Sequence, residues 1–459
     1  MWRTLKVATA LALFLAGSVV AETAIDLPIP EARALATQAA LSGDPETARR
    51  IAAGLLQADP NDRAALLVLA AVEPQLGRPT QGRLAGARAF AVSVTDAEKY
   101  EAARLTALAA ANEGRFTLAG WWLRRALTVA PTPADAAQTV ADARGLRNLN
   151  PWSSSIELSF NPSDNVNGGA ETAFNVIDGV PFVGVLSADA QALSGWSGTL
   201  NLTARYRIAA SSVAQTTVSA RAYGRGVLLS EQAQDFLAAA GSDATARNFS
   251  SALLEFGLRH DRALPNGAYG LGLTLGQAWS AAEFDYTFLR VSADRRLPVS
   301  DADSLSFSVS VEQRWDDDDD VSDWRKSVQA GWTHALPNGD QVSATVGYSA
   351  TESPTANNAS TTQSAQVGYV LARPLGPAQV QFSAGVQVQE FNAYRIGFIA
   401  VPGGRQDTRV FGTVDLFFPD YDYAGFAPVV TLNAGRTDSN VSRFAHDDLS
   451  ISFAFRSTF

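Results

Sequence analysis

The 459-residue sequence has no cysteine, only three histidines and a single methionine. Without cysteine the chain forms no disulfide bond, no thiolate metal site and no cysteine nucleophile. Its longest apolar run, Val7 to Val20, is shorter than the roughly 20 residues that a membrane-spanning helix needs. The net charge of −10 disfavours binding to a phosphate backbone, so we expect no nucleic-acid partner.

The start of the sequence has the features of a secretory signal peptide. Arg3 and Lys6 precede the apolar run, and small residues lead to Ala21 before Glu22. A basic start, a short apolar segment and a small residue at the cleavage point direct export from the cytoplasm. We therefore expect residues 1–21 to be removed and the mature chain to leave the cytoplasm.

Residues 22–148 are rich in alanine, leucine and arginine and are predicted to form helices. Breaks at 59–60 and at 130–131 lie about two 34-residue periods apart, the spacing of tetratricopeptide (TPR) repeats. The pattern predicts a short helical-repeat, TPR-like domain built from helical hairpins. Asp59 or Asn61 is the expected cap of the helix that follows the first break.

Two adjacent tryptophans stand out in this helical part. Trp121 and Trp122 cannot face the same way on one helix, because successive helical side chains point in different directions. One interpretation places one ring in the core and the other at a junction between domains. The other makes them contacts for a cargo in a concave groove.

From Pro151 the spacing of apolar residues changes to two. Segments such as AYGLGLTLGQAW and SLSFSVSVEQRW alternate apolar residues with small or polar ones. Repeated alternation of this kind is typical of membrane β-barrels, and in lipid only a closed barrel pairs all strand backbone groups. We predict a 14-stranded antiparallel transmembrane β-barrel over 149–459. Its predicted strands are 154–162, 197–209, 213–225, 248–260, 268–280, 283–296, 303–315, 323–335, 341–351, 362–374, 379–391, 407–418, 426–437 and 448–459.

The connections between the predicted strands alternate in length. Short turns at 264–267 and 336–339 alternate with longer polar segments such as 163–196, 226–247 and 392–406. Outer-membrane barrels have short periplasmic turns and longer outer loops. This phase predicts a barrel in the outer-membrane bilayer and a helical domain in the periplasm. It also leaves 163–196 long enough to fold inward as a plug.

The predicted last strand carries an aromatic residue at Phe459. One face of the strand is apolar, with Leu449, Ile451, Phe453 and Phe455, and the other face is polar. A terminal ring fits the interfacial aromatic belt of a membrane protein. We interpret Phe459 as a signal for the barrel-assembly machinery, which we expect as a partner.

No catalytic motif is found. The three histidines, His260, His334 and His446, are far apart in the sequence, and no zinc-protease, nucleophile-elbow or phosphate-loop pattern occurs. We therefore predict that the protein is not an enzyme and expect neither a cofactor nor a metal.

An aspartate run, Asp316 to Asp320, lies between Trp315 and Trp324. Its simplest interpretation is a solvated hairpin tip between two girdle tryptophans. The alternatives are a divalent-cation bridge to lipopolysaccharide or an acidic patch for a basic cargo. The spacing of an EF-hand calcium loop is not met.

Arginines recur along the predicted strands, at Arg205, Arg207, Arg221, Arg225, Arg259, Arg290 and Arg314. If they face the lumen, they either set ion selectivity, as in a porin, or pair with carboxylates such as Glu255, Glu283 and Glu312. The sequence leaves both interpretations open.

Two motifs carry a resemblance to a known family. The stretch SFNPSDNVN closes the first predicted strand, and GFAPVVTLNAGRTDSNV closes the penultimate one. Their polar residues are Ser163, Asp164, Asn165 and Asn167, and Asp438, Ser439 and Asn440. With the signal peptide, the TPR-like domain, the fourteen strands and the terminal aromatic residue, the chain resembles the surface lipoprotein assembly modifiers, or Slam proteins. Asx-turns at loop starts are the alternative explanation of these residues.

The resemblance implies an outer-membrane translocator that delivers a lipoprotein or related secreted protein cargo to the cell surface. The helical domain would receive the cargo in the periplasm, and the barrel would help it pass. Two other functions stay open, a passive outer-membrane porin and an exopolysaccharide exporter with helical repeats.

Overall fold

The computed structural model describes residues 27–181, 183–316, 322–421, 423 and 426–457. The predicted signal peptide 1–21, Asp317 to Asp320 of the aspartate run and Phe459 lie outside these ranges. The chain divides into two compact units, one ending at Glu113 and one beginning at Gly114. In the described ranges, no helix has both the length and the apolar character needed to cross a membrane.

Short packed helices form the first unit. They are α1 (Ile29–Leu41), α2 (Pro45–Ala58), α3 (Arg63–Val72), α4 (Pro79–Val92) and α5 (Asp96–Asn112). Consecutive helices pack against each other, and the core between them is made largely of alanine. Ala36, Ala48, Ala52 and Ala102 are fully buried. Small side chains let neighbouring helices approach closely, which is consistent with the predicted TPR-like hairpins.

The cap of α3 differs from the prediction. The side chain of Asp62 accepts the Ala65 N–H at 3.1 Å and is held by Arg33 Nε at 2.8 Å. Asp59 instead accepts the Asn61 N–H at 2.9 Å and shapes the preceding turn. The predicted cap, Asp59 or Asn61, is therefore wrong, because Asp62, held by the ion pair with Arg33, stands directly before the helix.

The second unit begins with two helices, α6 (Phe116–Thr128) and α7 (Pro133–Leu149). Gly114, whose φ of 77° suits only glycine without strain, follows the end of the preceding helix. Arg207 donates from Nη2 to the carbonyl of Asn148 at 2.9 Å, so a cation meets the negative end of α7. The guanidinium of Arg124 lies 4.5 Å from the centre of the Phe426 ring.

Fourteen strands follow and form one antiparallel sheet in sequence order. The first seven are β1 (Trp152–Ser163), β2 (Gly195–Ala210), β3 (Ala214–Leu229), β4 (Ser251–Leu264), β5 (Gly267–Ser280), β6 (Glu283–Pro298) and β7 (Asp303–Asp316). The others are β8 (Ser322–Ala335), β9 (Gln341–Glu352), β10 (Ser360–Val370), β11 (Gln379–Phe391), β12 (Arg405–Phe417), β13 (Phe426–Ser439) and β14 (His446–Ser457). The predicted fold class, a short TPR-like helical domain followed by a 14-stranded antiparallel β-barrel, is confirmed.

Strand ends differ slightly from the predicted segments. The strand predicted over 362–374 ends at Val370. The N–H of Ala372 is donated to the Asp340 carboxylate at 2.8 Å and not to a neighbouring strand. A side chain in the adjacent turn thus decides where β10 stops, which alternation along one strand cannot predict.

The two faces of the sheet differ in chemistry. Register places apolar residues side by side on one face, as in the row Leu273, Val291 and Val311, and such residues are exposed in the isolated chain. Trp315 and Trp324 lie on this face near the strand ends. The opposite face carries serine, threonine, glutamine and charged residues. An apolar outer face and a polar inner face are the pattern of a lipid-facing barrel.

Candidate functional site: the polar lumen and its covered mouth

A chain of hydrogen-bonded side chains, here called the lumen network, runs along the inner face. Its members are Glu157, Asn201, Arg221, Glu255, Arg290, Glu312 and Arg314. Glu255 lies at its centre, 2.9 Å from Arg221 Nη1 and 3.4 Å from Arg290 Nη1. Glu312 then accepts from Arg290 at 2.5 Å and from Arg314 at 2.6 Å. The network therefore links β3, β4, β6 and β7.

The other end of the network reaches the first strand. Arg221 Nε donates to Asn201 Oδ1 at 2.9 Å, and Asn201 Nδ2 donates to Glu157 at 2.9 Å. Three carboxylates and three guanidinium groups balance in charge. Glu312 is the most deeply buried charge of the network, with only 4% exposed, and it has two cationic partners, as a buried carboxylate requires.

The lumen network distinguishes the two interpretations of the strand arginines. Arg221, Arg290 and Arg314 pair with Glu255 and Glu312, as one of the two sequence interpretations proposed. Glu283, the third carboxylate suggested from the sequence, is the first residue of β6 and lies outside the network. The wall therefore carries paired charges and not a patch of one sign.

Small residues on β5 make the network continuous. The inner positions of β5 are Gly270, Gly272, Thr274 and Gly276, as register with β4 and β6 shows. A Cβ at Gly276 would lie 2.9 Å from the Leu254 carbonyl oxygen and would also collide with the Phe288 ring. Glycine at this position leaves room for the Phe288 ring, and Arg290 reaches Glu255 across this strand.

The far wall of the lumen has no ionisable side chain at its inner positions on β9, β10 and β11. In this described stretch the inner residues include Ser343, Thr345, Gly347, Ser349, Thr351, Ser360, Thr362, Ser364, Gln366, Gly368, Gln381, Ser383, Gly385, Gln387 and Gln389. One wall thus presents paired charges and the other presents neutral hydrogen-bonding groups.

A second charged group lies nearer the long loops, on the inner face of β12 to β14. Arg405 pairs with Asp407 at 2.5 Å, and Arg409 pairs with Asp448 at 2.9 Å. A polar cavity of about 190 Å³ adjoins these pairs. Its lining includes Gly168, Gln387, Gln389, Arg409, Phe444 and His446.

The loop between β1 and β2 crosses the mouth of the barrel. Arg225, on the inner face of β3, donates from Nη2 to the Val166 carbonyl at 2.6 Å and from Nη1 to Phe249 at 2.8 Å. Gly168, two residues after Val166, lines the cavity beside Gln387 of β11. Strands β3 and β11 are far apart in the sheet order. The segment predicted as a plug therefore lies across the mouth.

Apolar contacts hold this cover together. Val166 and Leu193 pack with Val227 and with Leu237 of a loop helix, α8 (Glu231–Ala239). A separate cluster joins three different loops through Ile177, Val401 and Val441. The Arg405 guanidinium lies 3.3 Å from the centre of the Phe444 ring. The mouth is thus covered by folded loops.

The first polar motif builds this cover. Asn165 exchanges two hydrogen bonds of 2.8 Å with the backbone of Gly169. Asn167 donates to the Gln191 carbonyl at 2.7 Å, and the Ser163 hydroxyl accepts the Asn165 N–H at 3.0 Å. These are local side-chain to backbone bonds of the Asx-turn kind.

The second polar motif, near the end of the barrel sequence, also forms local side-chain to backbone hydrogen bonds that shape a loop. Asn440 accepts the Gln406 N–H at 2.8 Å and donates to the Gly404 carbonyl at 2.8 Å. The Ser439 hydroxyl accepts a backbone N–H two residues later, and Asp438 pairs with an exposed arginine on its own strand. Both motifs therefore organise loops.

The barrel wall has one discontinuity, here called the seam. Continuous backbone ladders join each strand to the next from β1 to β14. Over the described residues no backbone ladder joins β14 to β1, although the two strands lie side by side. With its nitrogen turned toward the acceptors, the Asn161 amide donates to the Ile451 carbonyl at 3.0 Å and to the Ser452 hydroxyl at 2.9 Å.

The remaining candidates stay apart from this site. Trp122 is buried and Trp121 is 48% exposed, with ring centres 5.0 Å apart in an edge contact. His334 pairs with Asp303 at 2.8 Å on a different strand pair from His446. Within the ranges that the structure describes, no group of three or more acidic or histidine side chains could hold a metal ion.

Sequence reasoning missed part of the site. It named the arginines of the lumen network but neither Glu157 nor Asn201, and it did not identify the seam. Alternation places a residue on the inner face, but only the register between strands shows which inner residues meet. For Glu157, the sequence did offer a signal, because alternation along β1 places its carboxylate on the inner face.

An even-numbered antiparallel sheet that is apolar outside and polar inside defines a transmembrane β-barrel of the outer-membrane type. No protein-family model matches the chain, and no curated protein matches it. The resemblance to Slam proteins therefore remains a hypothesis.

Several solved structures match parts of the chain. OccAB3 of Acinetobacter baumannii is 10% identical, with 66% of this chain and 98% of that chain covered and a TM-score of 0.35. A bacterial polysaccharide outer membrane secretin is 11% identical over 66% and 98%, with a TM-score of 0.33. The chaperone SycD of Yersinia enterocolitica is 16% identical over 27% and 88%, with a TM-score of 0.24. Such identities and TM-scores give no basis for transferring what those proteins bind or transport.

Proposed function

We propose that this protein is an outer-membrane translocator that delivers a lipoprotein or a related secreted protein to the cell surface. The observation that carries the proposal is the folded cover over a polar lumen. A passive pore requires a mouth that stays open to solutes. Here the loop after β1 is bonded to the wall through Arg225 and packed against α8. A covered mouth suits a large cargo that passes only when the cover or the wall rearranges.

The lumen chemistry is compatible with polypeptide passage. An extended chain carries N–H and C=O groups that need partners when they leave water. The neutral wall of β9 to β11 offers hydroxyl and amide groups, and the lumen network has no excess charge that would select cargo by sign. The proposal assigns no catalytic step and no cofactor.

The helical part has a receiving role in this proposal. Helices α6 and α7 are attached at the end of the barrel with the short turns, through Arg207 and Arg124. We place that end in the periplasm, where a cargo arrives before it crosses. Trp121, which is half exposed, is the aromatic candidate for a cargo contact, and the barrel-assembly machinery is the expected partner in biogenesis.

The test is deletion of the gene, followed by protease shaving of intact cells and identification of the surface proteins. We expect at least one lipoprotein to be lost from the surface while it persists in the cell, and to return on complementation. Complementation with the empty vector serves as the matched control. An unchanged set of surface proteins would contradict the proposal.

A passive porin is the second candidate, because both walls of the lumen are polar along their length. Planar-bilayer recordings of the purified protein separate the two functions. The covered mouth predicts small or intermittent currents. Large steady currents, with small-solute uptake falling in the deletion strain, would favour the porin. A fall in exopolysaccharide export in the deletion strain would favour the exopolysaccharide exporter.

A further inference from the structure

The seam differs from the rest of the wall in its hydrogen bonding. Strand β1 pairs with β2 through twelve residues, from Trp152 to Ser163. Its other edge has no backbone ladder over the described residues, and the same holds for the free edge of β14. Two rows of backbone N–H and C=O groups therefore face each other without a ladder. The Ile451 carbonyl, which accepts from Asn161, and the Asp447 N–H, which donates to Glu171 at 2.7 Å, have side-chain partners.

Such edges are costly in a membrane. An unpaired peptide group in hydrocarbon is strongly unfavourable, which is why spanning strands form closed ladders. Lipid tails have no donors or acceptors that would satisfy these groups. An extended polypeptide satisfies both rows at once, because its own groups recur at the strand repeat.

The loops above the seam hold its two strands together. The Asp178 N–H donates to the Asn440 carbonyl at 3.0 Å, and the Ser442 N–H donates to the Val176 carbonyl at 2.9 Å. The Ser442 hydroxyl accepts the Val176 N–H at 2.8 Å. Between these bonds lie Ile177 and Val441, both almost fully buried. We call this pairing of 174–178 with 440–442 the clasp.

The clasp connects the segment that leaves β1 with the segment that enters β14. Its bonds lie outside the strands, so they hold the seam closed at its outer end without pairing the strands themselves. Within the described residues of the two strands, the side-chain amide of Asn161 links β1 to β14 by hydrogen bonds. Few bonds therefore need to break for β1 and β14 to separate.

We propose that the seam is a docking edge for an extended segment of the exported polypeptide, and that the clasp keeps it shut at rest. This inference rests on the proposed function and specifies where the cargo meets the barrel. The cargo strand pairs with the free edges of β1 and β14 and leaves the lumen through the wall, so the cover over the mouth does not have to open.

The experiment locks the seam with a disulfide. The protein has no cysteine of its own, so Asn161→Cys with Ser452→Cys introduces the one thiol pair. The matched control is Ser310→Cys with Ser327→Cys, whose hydroxyls lie 2.7 Å apart on directly paired residues of β7 and β8. That control joins two strands that are already joined by a ladder.

The probe is the lipoprotein identified by the deletion and shaving experiment. We expect its surface exposure to fall to the level of the deletion strain when the seam is oxidised, and to return after reduction. The control pair should leave exposure unchanged in both states. Normal exposure with a fully oxidised seam would overturn the docking edge while leaving the proposed function intact. If deletion itself changes no surface protein, the proposed function fails.

A second measurement does not depend on the double variant reaching the membrane. A single Ser155→Cys places one thiol on β1, and Ser343→Cys places one on β9 as its control. With single cysteines along the cargo, disulfide trapping during export should capture more cargo on β1 than on β9, because the cargo pairs with the β1 edge and only passes the neutral wall. Equal capture at both positions, or none on β1, would contradict the proposal and leave passage through the lumen.

Discussion

The two ends of this chain are stabilised in different ways. In the first unit, helices meet through alanine and glycine, and Gly86 of α4 lies against Thr106 of α5 so closely that a Cβ there would be 3.2 Å from the Thr106 Cα. In the barrel, side chains do not form a continuous apolar core. Backbone ladders and the lumen network hold the wall instead. Stability therefore depends on close packing in one part and on charge pairing in the other.

The largest expected effect is on the lumen network. Glu312→Ala leaves Arg290 and Arg314 without their shared carboxylate, and loss of one partner from a buried ion pair costs on the order of 3 kcal/mol. We expect the free energy of unfolding of the barrel in lipid, measured by urea titration, to fall by about that amount.

Gln366→Ala on the neutral wall is the control for this variant. Its side chain lies at an inner position but is not part of an ion pair, so we expect a change within about 0.5 kcal/mol. Equal losses for both variants would show that the two walls do not differ in the way the contacts indicate.

The next effect belongs to the first unit. Gly86→Ala forces α4 away from Thr106, and overpacking of this kind costs about 1–3 kcal/mol. The helical transition of the full-length protein, followed by far-UV circular dichroism, should move to lower temperature.

Gly54→Ala is the matched control in α2, because a Cβ at Gly54 meets nothing within 4 Å. Replacing an exposed helical glycine by alanine stabilises a helix by about 0.5–1 kcal/mol. The two alanine variants should therefore shift the transition in opposite directions. A stabilising effect at Gly86 would refute the close contact between α4 and α5.

The smallest effect is a pH dependence at the start of α5. The backbone N–H groups of Thr95 and Val94 donate to the Glu98 carboxylate at 3.1 and 2.8 Å, and they hold the pKa of Glu98 below its usual range. A lowered folded pKa stabilises the fold above the unfolded value of about 4.3, and the effect disappears as pH falls through the folded value.

Glu98→Gln should therefore lower the temperature of the helical transition at neutral pH, and the difference from the native protein should vanish in acid. Glu31→Gln in the first turn of α1 is the control, since it removes a glutamate without this pair of backbone bonds. A difference that stays constant from neutral to acidic pH would show that the carboxylate charge does not contribute.

Much of the fold follows from short-range pattern. A period of two from residue 151 predicted the fourteen strands, and the apolar and polar sides of each strand predicted the two faces of the sheet. These succeed because a strand in lipid must turn one face to hydrocarbon at every second residue. The predicted cap of α3 was wrong because Asp62 caps the helix, held by Arg33, which lies 29 residues away in the sequence.

The sequence alone determined the helical start, the even-stranded barrel and the polarity of its two faces, since each is a property of neighbouring residues. The tertiary structure decided which inner residues form the lumen network, which loops cover the mouth and which strand edges stay unpaired. Each of these depends on the register between strands, as when Arg290 reaches Glu255 across the glycines of β5. Register is fixed by the whole closed sheet, so no single segment of the sequence contains it.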